Sequence, residues 1–307
     1  MERDRPAAWT GQPLRTFLFA PGSDERKIAK VPSFGSDVVV LDLEDAVADD
    51  AKDGARATVR AGIERYDDGF VALVRVNAAS TGRLEADIDA VVCKRLDGIL
   101  VPKADHAQEL LHVDALLAAA EARAGLPVGA IKVVPIVETA RGIVNVDDTL
   151  ARGGDRLVTA IFGLGDFSTD IGVEVTPAGA ELAYARARII VATRAAGLAA
   201  PIDGPVFDIK NDELLLEDSR RSRSLGFQGR VIVFPPQVAP AKRAYSWLPD
   251  DTVAQLRDVV EQFEEAEQRN VASIRVNEQF VDYPIYERAR RELSRYDAYA
   301  RETERTA

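Results

Sequence analysis

Lys132-Val-Val-Pro-Ile-Val-Glu-Thr-Ala-Arg-Gly142 is the stretch that decides the fold. After Lys132 it is apolar without polar alternation, the pattern of a parallel strand buried on both faces. The run stops at Glu138, and Thr139-Ala-Arg-Gly142 reads as the beginning of a helix. Working outward, similar short runs recur, and strands are expected at 16–20, 38–42, 71–76, 98–101, 132–137, 157–162, 199–202 and 230–234. Between them lie segments such as Glu109-Leu-Leu-His-Val-Asp-Ala-Leu-Leu117, whose apolar residues recur at helical spacing. Eight βα units without a composition break predict a closed (β/α)8 barrel over residues 1–250. An open doubly wound sheet would use fewer strands and a Gly-rich nucleotide turn, which the chain lacks.

Residues 251–307 follow a different pattern. An amphipathic helix is expected over 252–270, with Val253, Leu256, Val259, Val260 and Phe263 on one side. A short stretch ending at Tyr283-Pro284 leads to a charged helix over 285–296. A closed barrel does not need this helical extension for its core. It is therefore expected to cover a barrel mouth, its own or a neighbour's.

Bulk properties narrow the function classes. The 307 residues are 47% hydrophobic, enough for a large core, and carry a formal charge of −11. That balance argues against nucleic acid or an anionic membrane as partner, while leaving room for a small anionic substrate in a locally basic pocket. One cysteine, Cys93, excludes an intrachain disulfide and a cysteine-rich metal site. The opening Met1-Glu-Arg-Asp-Arg-Pro6 has no apolar core of a signal peptide, and no run approaches a membrane span. A cytoplasmic protein is the expectation.

In such barrels the active site lies at the C-terminal strand ends. Reading those ends in order gives Asp42, Glu44 and Asp45; Arg75 and Asn77; Lys103; Glu138; Asp166; Asp203; and Gln237. Glu138 and Asp166, on successive strands, are candidates to share one hard divalent cation such as Mg²⁺, which prefers oxygen ligands and keeps waters for a substrate to displace. Each also has a helix-capping alternative. Arg75 lies in the Val-rich Val71-Ala-Leu-Val-Arg-Val-Asn77 and must find an anion. Two readings are open: a salt bridge to an acid such as Glu44, or a clamp on a substrate carboxylate or developing enolate. Glu44 and Asp45 are assigned to the substrate side, orienting metal-bound waters. Lys103 reads as a salt-bridge partner, Cys93 as a small core residue, and His106 and His112 as exposed residues away from the strand ends.

These residues carry a resemblance. Leu18-Phe-Ala-Pro-Gly-Ser23, Asp37-Val-Val-Val-Leu-Asp-Leu-Glu-Asp-Ala-Val47, Val74-Arg-Val-Asn77, Leu100-Val-Pro-Lys103, Val137-Glu-Thr-Ala-Arg-Gly142, Gly163-Leu-Gly-Asp166 and Gln279-Phe-Val-Asp-Tyr-Pro284 stand in this order. Together they resemble the citrate lyase β-subunit-like branch of the HpcH/HpaI aldolase superfamily, which includes malyl-CoA and citramalyl-CoA lyases. The resemblance implies Mg²⁺ on Glu138 and Asp166, with Arg75 and Gly165 beside the organic acid or its CoA thioester partner. It also implies a homo-oligomer, trimer or hexamer, in which a neighbour's tail supplies Asp282 as a catalytic proton-transfer group. Without the family, Asp282 reads as a turn or cap residue before Pro284. The expected activity is carbon–carbon cleavage of a short β-hydroxyacyl-CoA to an acyl-CoA and an α-keto acid or glyoxylate. The alternatives are a class II-type aldolase on free hydroxy-keto acids and a non-catalytic organic-acid-binding subunit of a lyase complex. Three departures bear on CoA recognition and the leaving fragment. Asp24 and Glu25 stand where an arginine is frequent, Gly165 where an acid is usual, and Phe234 where a histidine is usual.

Overall fold

A computed structural model describes residues 13–67 and 69–306. It forms two compact units, the first ending at Lys242 and the second beginning at Arg243. The first is a closed barrel of eight parallel strands in sequence order, β8 returning to β1. Its elements are β1 (Thr16–Pro21), α1 (Glu25–Lys30), β2 (Val38–Asp42), α2 (Lys52–Glu64), β3 (Val71–Arg75), α3 (Leu84–Val91), β4 (Gly98–Val101) and α4 (Ala107–Arg123). They continue as β5 (Lys132–Val137), α5 (Ala140–Arg152), β6 (Ile161–Phe162), α6 (Leu164–Asp170), β7 (Ile202–Asp203) after α7 (Ala183–Ala195), then α8 (Asp212–Leu225) and β8 (Gly229–Ile232); α9 (Val238–Ser246) begins in the first unit and ends in the second.

The strand period of two explains both core and mouth. Val38 and Val40, Val71 and Leu73, and Val134 and Ile136 point inward into one apolar cluster with Leu14, Phe17, Leu100, Ile161, Ile202 and Val231. The intervening residues, such as Val39, Ala72 and Val133, are equally buried against the helices, so the runs show no alternation. Two steps further along the same inward rows stand Asp42, Arg75 and Glu138. The barrel interior is thus apolar until its last layer, where it becomes charged.

Two strands are shorter than the apolar runs suggest. Before regular pairing starts at Ile161, the run at 157–162 is joined to β5 only by the backbone bonds of Arg156 and Val158 to Val133 and the bridge Val133–Leu157. β7 likewise begins only at Ile202 and pairs with β6 through Ile161 alone.

The second unit contains α10 (Asp250–Gln268), β9 (Ser273–Val276), β10 (Gln279–Asp282) and α11 (Tyr283–Thr306). β9 and β10 form an antiparallel hairpin closed by Asn277 and Glu278, both at positive φ (46° and 65°). Val259, Phe263, Val276, Val281, Tyr286 and Ala289 build its own small core, with Phe263 stacked on Tyr286 at 4.7 Å.

Candidate active site

Asp42 and Arg75 are register partners on β2 and β3. Arg75 gives Nε to Asp42 Oδ1 at 2.7 Å and Nη2 to Oδ2 at 2.5 Å, a two-pronged bond that fixes the guanidinium plane. Asp42 also accepts from the backbone N–H groups of Glu44 and Ala46, so the same carboxylate shapes the β2 turn and aims Arg75. The remaining Arg75 nitrogen, Nη1, lies 3.1 Å from Glu44 Oε2 and 3.2 Å from Asp45 Oδ2. Burial opposes the Arg75 charge, but Asp42 first, then Glu44 and Asp45, more than offset it and raise its pKa. The salt-bridge reading of Arg75 is therefore realised, with Asp42 rather than Glu44 as its principal partner. The three carboxylates are not equivalent: Asp42 and Glu44 are buried, whereas the Asp45 side chain is 57% exposed.

Lys103 ties the other acids together. It ends the β4 turn at φ 51°, a left-handed conformation unusual for a residue with a Cβ. That conformation sends its backbone N–H to Glu138 Oε1 at 2.8 Å and its Nζ to Glu44 Oε1 at 3.1 Å. The same Nζ lies 3.7 Å from Asp166 Oδ2. Burial again opposes the charge, and Glu44, Glu138 and Asp166 outweigh it, holding the ammonium above its ordinary pKa. Sequence reasoning saw only a salt bridge here; the positive φ that makes one lysine serve three acids has no sequence signal without a glycine.

Glu138 and Asp166 face the mouth, and neither is a helix cap. The α5 cap is Thr139, whose side chain accepts from Gly142 N–H. α6 is preceded by Gly163 and has no side-chain cap, with Asp166 in its first turn. Gly163 is required sterically, because a Cβ there would collide with Glu138 Cβ and Oε2. Glu138 thus leans over the end of β6 into the space that the missing side chain leaves.

Burial, then the charges of Glu44 and Asp166, push the Glu138 carboxyl up to about 8. Burial also raises Glu44. A carboxyl with a folded pKa near 8 and an ordinary value of 4.5 binds more protons folded than unfolded between those pH values. Metal-free protein should therefore lose stability as pH rises through that window, by on the order of a few kcal/mol from this group. Glu138→Gln should flatten the fall. Melting temperatures at pH 5 and pH 8 in a chelator check this, and equal falls in both proteins would contradict it.

The cluster fits a hard divalent cation. Glu44 Oε2 is buried and makes an ion pair with Arg75 but no aligned hydrogen bond, Glu138 Oε1 takes the backbone N–H of Lys103, and the Asp166 side chain is 43% exposed. Every donor is a carboxylate oxygen, as such a cation prefers. Among the described residues no set of three acids, histidines or cysteines closes on one point. A cation here would therefore take most of its shell from water and substrate.

Other strand-end groups turn away from the mouth. Asn77 binds Asp87 and receives Lys52 Nζ at 2.9 Å, and the same ammonium braces the Leu43 and Glu44 carbonyls. Asp203, fully buried, lies 3.0 Å from Arg186 Nη2 in a network with Asp218 and Arg230. Gln237 is buried against the Val206 carbonyl. His106 caps α4 and is exposed with His112, and Cys93 is buried. Asp24 caps α1 by accepting from Arg26 and Lys27 N–H. Gly165 sits against the ring of Phe207. In the second unit, Asp282 Oδ1 accepts from Ile285 N–H at 3.3 Å, a long bond at the start of α11.

Residues 15–235 match the HpcH/HpaI aldolase/citrate lyase family. The chain belongs to that family. Citrate lyase subunit beta of Leuconostoc mesenteroides subsp. cremoris is 33% identical over 90% of this chain and 91% of its own length. The mitochondrial citramalyl-CoA lyase of Rattus norvegicus is 30% identical, over 90% of this chain and 84% of that one. Among solved structures, the CitE protein of Mycobacterium tuberculosis in complex with magnesium, acetoacetate and coenzyme A superposes with a TM-score of 0.77 at 26% identity. That match covers 94% of this chain and 99% of that one. No helix among the described residues is long and apolar enough to cross a membrane.

Proposed function

We propose that this family member is a Mg²⁺-dependent carbon–carbon lyase that cleaves a short β-hydroxyacyl-CoA to an acyl-CoA and an α-keto acid or glyoxylate. The observation that carries the reading is the charged last layer of the barrel: Glu138 and Asp166 beside the fixed guanidinium of Arg75. The magnesium, acetoacetate and coenzyme A of the M. tuberculosis relative support the choice of metal and thioester. Mg²⁺ held by Glu138 and Asp166 would polarise the substrate's hydroxyl or carbonyl oxygen as a Lewis acid.

The chain's own residues do the rest. Breaking the Cα–Cβ bond passes the β-hydroxyl proton to the Asp282 carboxylate and leaves an electron pair on the thioester as an enolate, which then takes that proton back from Asp282 at Cα. Arg75, by exchanging the exposed Asp45 for substrate, offsets the new negative charge with a guanidinium already aligned by Asp42. Lys103 keeps Glu44 neutralised, so that the acids do not repel the incoming carboxylate. Glu44 and Asp45 orient water around the bound acid, and Gly165 lines its pocket. Asp282 moves the Cα proton, supplied by the tail of the same or a neighbouring subunit in a cytoplasmic homo-oligomer, trimer or hexamer.

A second reading, an aldolase on free hydroxy-keto acids, is favoured by Asp24. Its carboxylate occupies the α1 N-terminus, and it would repel CoA phosphates there. Purified protein with Mg²⁺, a panel of hydroxyacyl-CoAs and the corresponding free acids separates the two. Asp282→Asn should leave the melting temperature and Mg²⁺ affinity unchanged and lower kcat by about 10²–10⁴. Retained turnover would return Asp282 to a capping residue. Mixed oligomers of Asp282→Asn with Glu138→Gln should regain activity if the tail acts in trans.

A further inference from the structure

Phe207, on the loop between β7 and α8, is 59% exposed although it is a large apolar ring. The loop beneath it is firmly anchored. Arg230 Nη2 binds the Gly204 carbonyl at 2.9 Å, and Gln237 Nε2 binds the Val206 carbonyl at 3.3 Å; both side chains are buried. A Cβ at Gly204 would collide with Leu164 Cβ, so the loop lies flat on α6. The ring reaches Gly165, where a Cβ would stand 3.1 Å from Phe207 Cζ and 3.6 Å from Cε2. Gly165 immediately precedes Asp166. A rigidly mounted aromatic edge therefore occupies the space into which a side chain at residue 165 would project, one residue from a proposed metal ligand.

The charges around this edge are unfavourable to a second substrate carboxylate. Asp208 follows Phe207 in the loop, and Asp166 follows Gly165, the residue that the ring reaches. Of the two cations at the acids, Lys103 is held by Glu44 and Asp166, and Arg75 by the buried Asp42 and Glu44, so that only its contact to the exposed Asp45 is exchangeable, for one substrate anion. The ring itself offers a carboxylate no donor, so one pressed on it would lose water there without compensation. A hydrogen or a short alkyl group would instead remove apolar ring surface from water.

We propose that Phe207 is a specificity-determining residue that selects a keto-acid fragment with a single carboxylate and a hydrogen or short alkyl substituent over a dicarboxylate. The proposal rests on the lyase reading of the same site and narrows its substrate class. Calorimetric titration of pyruvate, 2-oxobutyrate and oxaloacetate into the Mg²⁺-loaded protein tests it without turnover. Wild type should bind the two monocarboxylates about tenfold more tightly than oxaloacetate, the order of discrimination that an apolar contact provides. Phe207→Ala should bring the three affinities together, and Phe207→Leu should keep most of the preference. Because the ring is exposed, both variants should fold, and unchanged melting temperatures confirm it. Preference for oxaloacetate in wild type, an unchanged ratio in Phe207→Ala, or no binding of any of the three would overturn the proposal. If the selectivity fails while hydroxyacyl-CoA is still cleaved, only Phe207 loses its role. Absence of cleavage with every acyl-CoA is the separate result that would remove the lyase reading.

Discussion

Glu138→Gln should lower kcat/KM by on the order of 10³ and, in a chelator at pH 8, leave the protein more stable than wild type. The two effects have one origin. Glu138 is 3% exposed, and its ionisation is opposed by burial and by the charges of Glu44 and Asp166. Gln has the same shape, and its amide oxygen can still accept the backbone N–H of Lys103 that Oε1 accepts now. It removes a buried charge that only a cation would compensate, so the metal-free fold gains. It also removes an anionic ligand, and loss of Lewis-acid stabilisation worth several kcal/mol corresponds to about three decades in rate. Steady-state kinetics and melting curves on the same preparations test both. A variant that is inactive and also less stable in the chelator would mean that Glu138 is structural.

Arg75→Ala should damage stability and catalysis together. Removing the guanidinium leaves Asp42 (1% exposed) without its compensating charge and Glu44 (5%) with Lys103 alone. Breaking a buried pair from one side costs about 3–5 kcal/mol. For a domain of this size that is roughly a 10 °C fall in melting temperature. It also exposes the ring of Phe19, 5.3 Å from the guanidinium, to a void. Arg75→Lys restores a charge but cannot reproduce the two bonds to Asp42. It should recover part of the stability and little of the activity. Thermal melts and kinetics read this out. A stable, fully active Arg75→Ala protein would remove Arg75 from both roles.

The contrast between these variants reflects what the sequence can express. The barrel was legible because parallel strands buried on both sides are continuous apolar runs, and because Asp42, Arg75 and Glu138 follow their strands in the inward phase. That neither Glu138 nor Asp166 caps a helix needed the structure, since it depends on Thr139 taking the α5 cap and on α6 having no side-chain cap. The part played by Lys103 depends on a left-handed backbone at one residue, which nothing in Val101-Pro102-Lys103 announces. The β9–β10 hairpin escaped for a related reason. Its turn, Asn277-Glu278, uses two positive φ angles without the glycine that usually marks such a turn. The runs at 157–162 and 199–202 suggested longer strands than form, because apolar residues leading into a barrel are buried before they enter its regular ladder. Phe207 could not be singled out from sequence, since its placement comes from Arg230, Gln237 and Gly165, far apart in the chain.

In the proposed reaction Glu138 and Asp166 together bind the divalent cation on which cleavage depends. Calorimetric titration of Mg²⁺ at pH 7 into wild type, Glu138→Gln and Asp166→Asn measures it directly. The prediction is one site per chain in wild type, with affinity at least about tenfold weaker in each variant, as expected when an anionic oxygen ligand is lost. Unchanged Mg²⁺ affinity in both variants would contradict the claim.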